Sequence, residues 1–288
     1  MRFHQSPIVH VGKVILKVTD LERSLQFYQQ VIGFEIKNRT ETTADLTADG
    51  KTVLLTLKQP DDVIPKKERT TGLYHFALLL PSREHLAQII HHLTENGIRF
   101  GSSDHLVSEA LYLWDPDGNG IEIYRDRDPS EWEWQRDQVK MAVDPLRFQE
   151  LLAIPVASKW EKLPPETVVG HIHLHVAWLD QAERFYVDGL GFEVVLRYGP
   201  HALFIADGKY HHHVGLNTWN GVGAPQPPPQ SAGLEAYSLI YPDESARMDA
   251  VNRLQKMGFA AEEMEGEMGW TVCDPSGNRI VLQIASDV

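Results

Sequence analysis

The sequence predicts an α+β chain of four βαβββ modules forming two cup-shaped mixed sheets, with the helices outside. Three observations carry this reading. Landmarks of the first half return in the second at nearly one displacement. "FYQQVIGFE" at Phe27 returns 158 residues on as "FYVDGLGFE" at Phe185, and "DPDGNG" at Asp115 returns 159 residues on as "DPSGNR" at Asp274. A third pair, Gly72 with Pro81 and Gly233 with Pro242, is displaced by 161. Second, within each half the order strand, helix, three strands occurs twice. Third, a module of roughly 50 residues buries too little surface to stand comfortably alone, so the modules are expected to pair.

In module one (13–58), "KVILKV" at 13–18 reads as a strand. "LERSLQFYQQVIG" at 21–33 reads as a helix stopped by Gly33. "FEIKNRT", "ADLTAD" and "TVLLTL" follow as strands, with Asp49-Gly50 as a turn. Module two (72–125) repeats the order with strand "LYHFALLL", helix 83–97, then "SSDHLVSEA", "LYLWD" and "IEIYR". The segment 126–169, carrying Trp132, Trp134 and Trp160, is a connector whose aromatics are expected to pack over the modules. Module three (170–219) has a strand at 171–176, a helix at 179–189 and three more strands. The Pro-rich "GAPQPPPQSAG" (223–233) links it to module four (233–285). The first half thus spans 8–125 and the second 170–285.

Composition narrows the function. The chain has 288 residues, and 27 Lys and Arg against 40 Asp and Glu give a net charge of −13. Nucleic acid and anionic membranes both need a basic footprint, so neither is expected as a partner. Cys273 stands alone and forms no internal disulfide. No apolar run approaches the roughly 20 residues of a membrane span, and the first fifteen residues lack a signal peptide's apolar stretch. A cytoplasmic protein is the expectation; the oligomeric state is left open.

The architecture, the S/A-x-x-FY helix and the closing "DPxGNxIE" resemble the vicinal oxygen chelate superfamily over nearly the whole chain. Its members include glyoxalase I, fosfomycin-resistance proteins and type I extradiol ring-cleaving dioxygenases. The resemblance implies a divalent metal on the floor of a cup, held from two positions per module. At the first position stand Lys13, His75, His171 and Ala236 in modules one to four. At the second stand Glu122 in module two and Val281 in module four, while module one offers only apolar residues and Thr. Ligand types therefore remain at His75, Glu122 and His171, the two-His, one-carboxylate set associated with non-haem Fe(II) oxygenases. The bland alternatives are two core histidines and a carboxylate paired to an arginine. In ordinary type I extradiol enzymes modules three and four hold the ligands. Here module two must take the place of module four and share a cup with module three, leaving one and four to form the metal-free cup.

"KYHHHVGLNTW" (209–219) reads as a strand, which puts His211 and His213 on one face and His212 on the other. In the resembled dioxygenases the last strand of module three carries a motif similar to F-L-H-C-N-x-R-H-H-S, whose second paired histidine is the acid–base catalyst. Laid on "FIADGKYHHH", that residue is His212. Ala206, Asp207 and Gly208 depart from the motif, a slip of one makes the residue His211 or His213, and a solvated strand edge is the other reading. A tyrosine ten positions before the glutamate bonds the substrate in those enzymes, and Tyr112 has that spacing from Glu122. His105 and His173 are candidate pocket contacts; His175 shares a strand face with His171 and His173.

The activity implied is Fe(II)-dependent cleavage of a catechol, or of a related hydroquinone, by O2 beside the two hydroxyls, yielding a yellow semialdehyde. Mn(II) is an alternative metal. A glyoxalase-type isomerase or lyase, which usually needs four protein ligands, and a non-catalytic aromatic- or drug-binding protein are the competing readings.

Overall fold

The computed structural model describes residues 3–156, 158–265 and 268–285. Module one comprises β1 (His10–Lys17), α1 (Leu21–Phe27), β2 (Glu35–Arg39), β3 (Thr43–Thr47) and β4 (Val53–Lys58). Module two comprises β5 (Gly72–Leu79), α2 (Arg83–Glu95), β6 (Gly101–Asp104), β7 (Ser108–Trp114) and β8 (Gly120–Asp126). The connector holds β9 (Trp134–Gln135), β10 (Gln138–Val139) and α3 (Phe148–Leu152). Module three has β11 (Val168–His175), α4 (Leu179–Arg184), β12 (Glu193–Tyr198), β13 (Ala202–Ala206) and β14 (Val214–Asn217). Module four has β15 (Gly233–Tyr241), α5 (Glu244–Lys256), β16 (Glu262–Glu263), β17 (Trp270–Cys273) and β18 (Arg279–Ile284).

The modules pair crosswise into two eight-stranded, cup-shaped sheets. One runs β16-β17-β18-β15-β1-β4-β3-β2 and joins modules one and four; the other runs β12-β13-β14-β11-β5-β8-β7-β6 and joins modules two and three. Each is sealed by one antiparallel contact between first strands, β1 with β15 and β5 with β11. A single apolar core links the sheets and helices, taking in Leu16 and Leu55 of one sheet, Phe76 and Ile172 of the other, Ile90 of α2 and Leu254 of α5. Burial on this scale is the main stabilising term.

The repeated sequence landmarks are joints between modules. Tyr28 donates its hydroxyl proton to Asp115 (2.9 Å), and Tyr186 to Asp274 (3.1 Å). Each aspartate's other oxygen accepts from backbone amides of its own turn, as Asp115 does from Asp117 and Asn119. Every "FY" end of one module is therefore bolted to the "DPxG" turn of the next. The two helices predicted as single stretches, 21–33 and 179–189, each change winding at this joint. Residues 28–32 and 185–189 are π-helical turns, closed by Gly33 N to Tyr28 O and by Leu190 N to Phe185 O, both 3.0 Å.

Two strand predictions need correction. "SSDHLVSEA" is split at residues 105–107, where Leu106 takes a positive φ of 68°. The triplet segment 209–213 is not a strand; β14 begins only at Val214. Lys209 at φ 61° and Gly208 at φ 64° break the extended run just before it.

Connector tryptophans pack over the modules. Trp132 stacks on Phe3 (5.6 Å between ring centroids), and Trp160 donates its indole proton to the Ile32 carbonyl (3.2 Å). Among the described residues no helix is long and apolar enough to cross a membrane.

The contact between β5 and β11 is irregular where it matters. Pairing jumps from His173–His75 to Leu174–Leu73, skipping Tyr74, and from Val169–Leu78 to His171–Ala77, skipping Gly170. Such bulges re-aim side chains. Tyr74 consequently joins His75 on the cavity side instead of opposing it. Gly170 is required by close approach, because a Cβ there would fall on the Tyr124 hydroxyl. Gly170→Ala is expected to lower stability by about 1–3 kcal/mol, the usual cost of overpacking a filled interior. A urea titration showing an unchanged midpoint would contradict it.

Candidate active site

One strand lays out half the site. In β8, side chains alternate, so Glu122, Tyr124 and Asp126 share a face. Glu122 lines the cavity, while Tyr124 packs against His171 and Asp126 contacts His211. Across β7, Tyr112 is the direct partner of Glu122 in the antiparallel register, which is the geometric content of their ten-residue spacing. From β11, His173 lines the cavity and His171 reaches Glu122, and from β5 comes His75.

His75, Glu122 and His171 converge. Their ligand-type atoms lie within 4.8 Å of one another, and all three residues are buried. His171 Nε2 stands 3.1 Å from Glu122 Oε2, and His75 Nε2 3.0 Å from the same oxygen. The His75 nitrogen is off the line of a hydrogen bond and has no partner among the described residues. Two imidazole nitrogens thus aim at one carboxylate oxygen without both being satisfied, which is costly in a protein interior. A cation between them would satisfy all three, so the donor set fits a divalent metal.

The protonation states agree with that fit. Burial opposes ionisation of Glu122, but the electrostatic pull of His171 and His75, with the His171 hydrogen bond, outweighs it and holds the carboxyl well below its usual range. Burial lowers His171 to about 4, against the pull of Glu122, so its ring is neutral at pH 7. An anionic carboxylate and a neutral imidazole are the metal-binding forms. His171 is fixed by ring contacts, 4.1 Å from His212 and 4.9 Å from Tyr124 between centroids.

The triad opens into a cavity of about 360 Å³. Tyr112, His105, His173 and His212 line it with His75 and Glu122, and His171 joins them through its 3.1 Å contact with Glu122. His105 does more than line the wall. Its Nδ1 donates to the Ala142 carbonyl (2.7 Å), leaving Nε2 of the neutral ring to accept the Tyr112 hydroxyl (2.5 Å). Burial, then the Glu122 charge, raises Tyr112 well above its ordinary value, so it remains a phenol. His173 is kept neutral by burial and by the neighbouring histidines His75 and His171. His175 lies apart: it lines an adjoining cavity and its Nδ1 contacts Asn217 Oδ1 at 2.7 Å.

The three adjacent histidines take three different environments, and none is a solvated edge, since all are buried. His213 is tied to the scaffold, donating from Nε2 to the Phe3 carbonyl (2.9 Å) while its Nδ1 accepts from the Asp207 amide (3.2 Å). His212 faces the cavity. His211 lies behind it, Nδ1 to Nδ1 at 2.8 Å, with its Nε2 2.8 Å from Asp126 Oδ1. A carboxylate only accepts, so His211 donates from Nε2; in the neutral form of that ring its Nδ1 accepts the Nδ1 proton of His212. Nε2 of His212 is then left as the basic nitrogen. Burial first, then His171 and His211, depresses His212 well below the usual histidine range.

Sequence reasoning missed Tyr74, the outer wall of Tyr198, Phe204 and Trp219, and Asp126 behind His211. Asp126 was within reach, being four residues beyond Glu122 on an alternating strand. Tyr74 was not, because only the bulge turns it inward.

The relation between β5 and β11 is close to twofold, so each ligand-type position has a counterpart. That of His75 is His171. That of Glu122, which pairs with Ala77, is Gly215, which pairs with His173. A Cβ at Gly215 would stand 2.8–3.0 Å from the His173 ring, which already fills that space.

Comparisons with known proteins agree with the architecture. The sequence profile of the Glyoxalase/Bleomycin resistance protein/Dioxygenase superfamily matches residues 8–123 and 168–282. A catechol-2,3-dioxygenase of Bacillus subtilis (strain 168) is 45% identical over 279 residues, 96% of this chain and 97% of that protein. A glutathione transferase, FosA of Serratia marcescens, is 27% identical over 40% of this chain and 79% of its own length. Among solved structures, glyoxalase I of Zea mays superposes with a TM-score of 0.59 at 14% identity, covering 97% of this chain and 93% of that one.

Proposed function

Since the chain belongs to the Glyoxalase/Bleomycin resistance protein/Dioxygenase superfamily, we propose that it is an extradiol dioxygenase that opens a catechol beside its two hydroxyls. The observation that carries this reading is the buried His75–Glu122–His171 cluster, of which His75 and Glu122 line a cavity that also presents His212 and Tyr112. The 45% identity to a catechol-2,3-dioxygenase over nearly the full length of both chains supports it.

In this reading His75, Glu122 and His171 hold Fe(II), with Mn(II) as the alternative the same donors accept. Bound there, the iron supplies open positions for a chelated diol and for O2. The diol and O2 combine without loss of atoms: one ring C–C bond breaks and both oxygen atoms enter the semialdehyde product. His212 Nε2 accepts a proton as the diol binds and returns it during ring opening, while its Nδ1 proton is held by His211 and, through it, by Asp126. Tyr112, anchored by His105, orients the ring by its hydroxyl. His173 and Phe204 wall the floor against water.

The glyoxalase alternative needs a fourth protein ligand, and the position where a counterpart of Glu122 would stand is Gly215, occupied by the His173 ring. The test is metal-loaded protein, catechol and air. A yellow product with one O2 consumed per catechol is expected. Conversion of a glutathione hemithioacetal without action on catechol would replace this reading with the isomerase; tight aromatic binding with no turnover would leave a binding protein.

A further inference from the structure

We infer that the preferred substrate carries an apolar ring substituent and no charge, an alkyl- or aryl-substituted catechol in preference to a carboxylated one. The inference rests on the ring-cleaving reading above and extends it from the floor of the cavity to its mouth. None of the residues lining the cavity is Lys or Arg, and the one acidic residue, Glu122, is on the floor. A bare diol ring fills only part of about 360 Å³, a volume in the range of sites that enclose drug-sized ligands.

Apart from Ser102 and Ser103, what surrounds the remaining volume is apolar and open. Val143, Trp219 and Tyr198 line the cavity yet are 67%, 50% and 45% exposed. Large apolar side chains left wet around a cavity mouth mark a surface that gains by being covered. A diol held by both oxygens at the floor points its substituent toward them.

The cations around this cavity are engaged elsewhere: Lys140 and Arg197, next in sequence to the lining residues Met141 and Tyr198, pair with Glu133 and Glu183. Lys66, Lys67 and Arg69 line a separate cavity of about 440 Å³, and Tyr74 lines both. The Tyr74 ring is wedged between His173 and Trp219, at 5.1 and 5.2 Å between centroids, and so stands between the cavities. Lys66 Nζ is already committed to the Gly118 carbonyl at 3.0 Å. A carboxylate on the substituent would find a mostly apolar wall and no Lys or Arg to pair with, inside a chain of net charge −13.

The test compares catechol, 4-butylcatechol and 3-(3,4-dihydroxyphenyl)propionate by O2 uptake with iron-loaded protein. Each buried methylene is worth about a three- to fourfold factor. With part of the chain left at the open mouth, kcat/KM for the butyl compound should exceed catechol by about tenfold or more. The propionate should fall below catechol by about tenfold. Propionate turnover equal to or above butyl turnover overturns the inference. In Val143→Arg the propionate-to-butyl ratio should rise by about tenfold, and a ratio cancels any loss of folded or loaded protein. An unmoved ratio puts the substituent elsewhere and overturns it too. If catechol itself is not cleaved, the ring-cleavage reading falls separately; calorimetric binding of the same three compounds then decides this one.

Discussion

His171→Ala is expected to emerge without its metal and without turnover. The proposed centre has three protein ligands, so removing one leaves Glu122 and His75 with an open edge facing the cavity. Replacing a residue that merely supports a ligand typically weakens metal binding about 10–100-fold; losing a ligand outright should exceed the top of that range. The change also strips a buried carboxylate of one of the two imidazoles that hold it ionised, so Glu122 in the metal-free variant should take up a proton more readily. The control is His173→Ala. His173 sits two residues along the same strand, is as deeply buried, and lines the same cavity, but lies outside the cluster. It should retain the metal. Metal content after dialysis, with near-ultraviolet circular dichroism to certify the fold, separates the two variants. Stoichiometric metal in His171→Ala would remove the cluster from consideration as the binding site.

That these residues could be picked out beforehand follows from how strands and repeats are written in a sequence. Tyr112 and Glu122 are cross-strand partners, so their separation is a property of the hairpin and survives any change of neighbours. The "FY" and "DPxG" landmarks recur because each pair forms a buried Tyr–Asp joint, which tolerates little substitution. Crosswise pairing of the modules was legible only through the chemistry: His75 and Glu122 stand in module two, His171 in module three, and one cup must contain all three.

What was not legible has a common physical origin. Periodicity assumes an unbroken strand, and the site is built where strands break. Tyr74 would oppose His75 in a regular strand, and the bulge places it beside His75 instead. Periodicity makes the histidine triplet a strand with alternating faces. In fact Gly208 and Lys209 adopt left-handed backbone conformations and end β13's hairpin early, so three consecutive rings can be buried in three surroundings. The division of labour among them depends on residues distant in sequence, Phe3 for His213 and Asp126 for His211.

The same division predicts that His212→Ala keeps its metal and still binds a diol, while kcat falls by roughly 10²–10⁴, the worth of a positioned acid–base group. Neither retention needs the imidazole, because His212 touches His171 only by ring contact and lies outside the ligand cluster. Asp126→Asn should be milder and more telling. The amide oxygen can still accept from His211 Nε2, so the chain of tautomers that leaves His212 Nε2 basic is kept and only the charge at its end is lost. We expect kcat to fall by about tenfold, a fraction of the full acid–base contribution, with KM and metal content unmoved. A purely structural role for Asp126 would instead show as a lower urea midpoint with kcat per loaded site intact. If His212→Ala loses its metal, the triplet belongs to the coordination shell; if it turns over catechol at the parent rate, the proton is carried by another group.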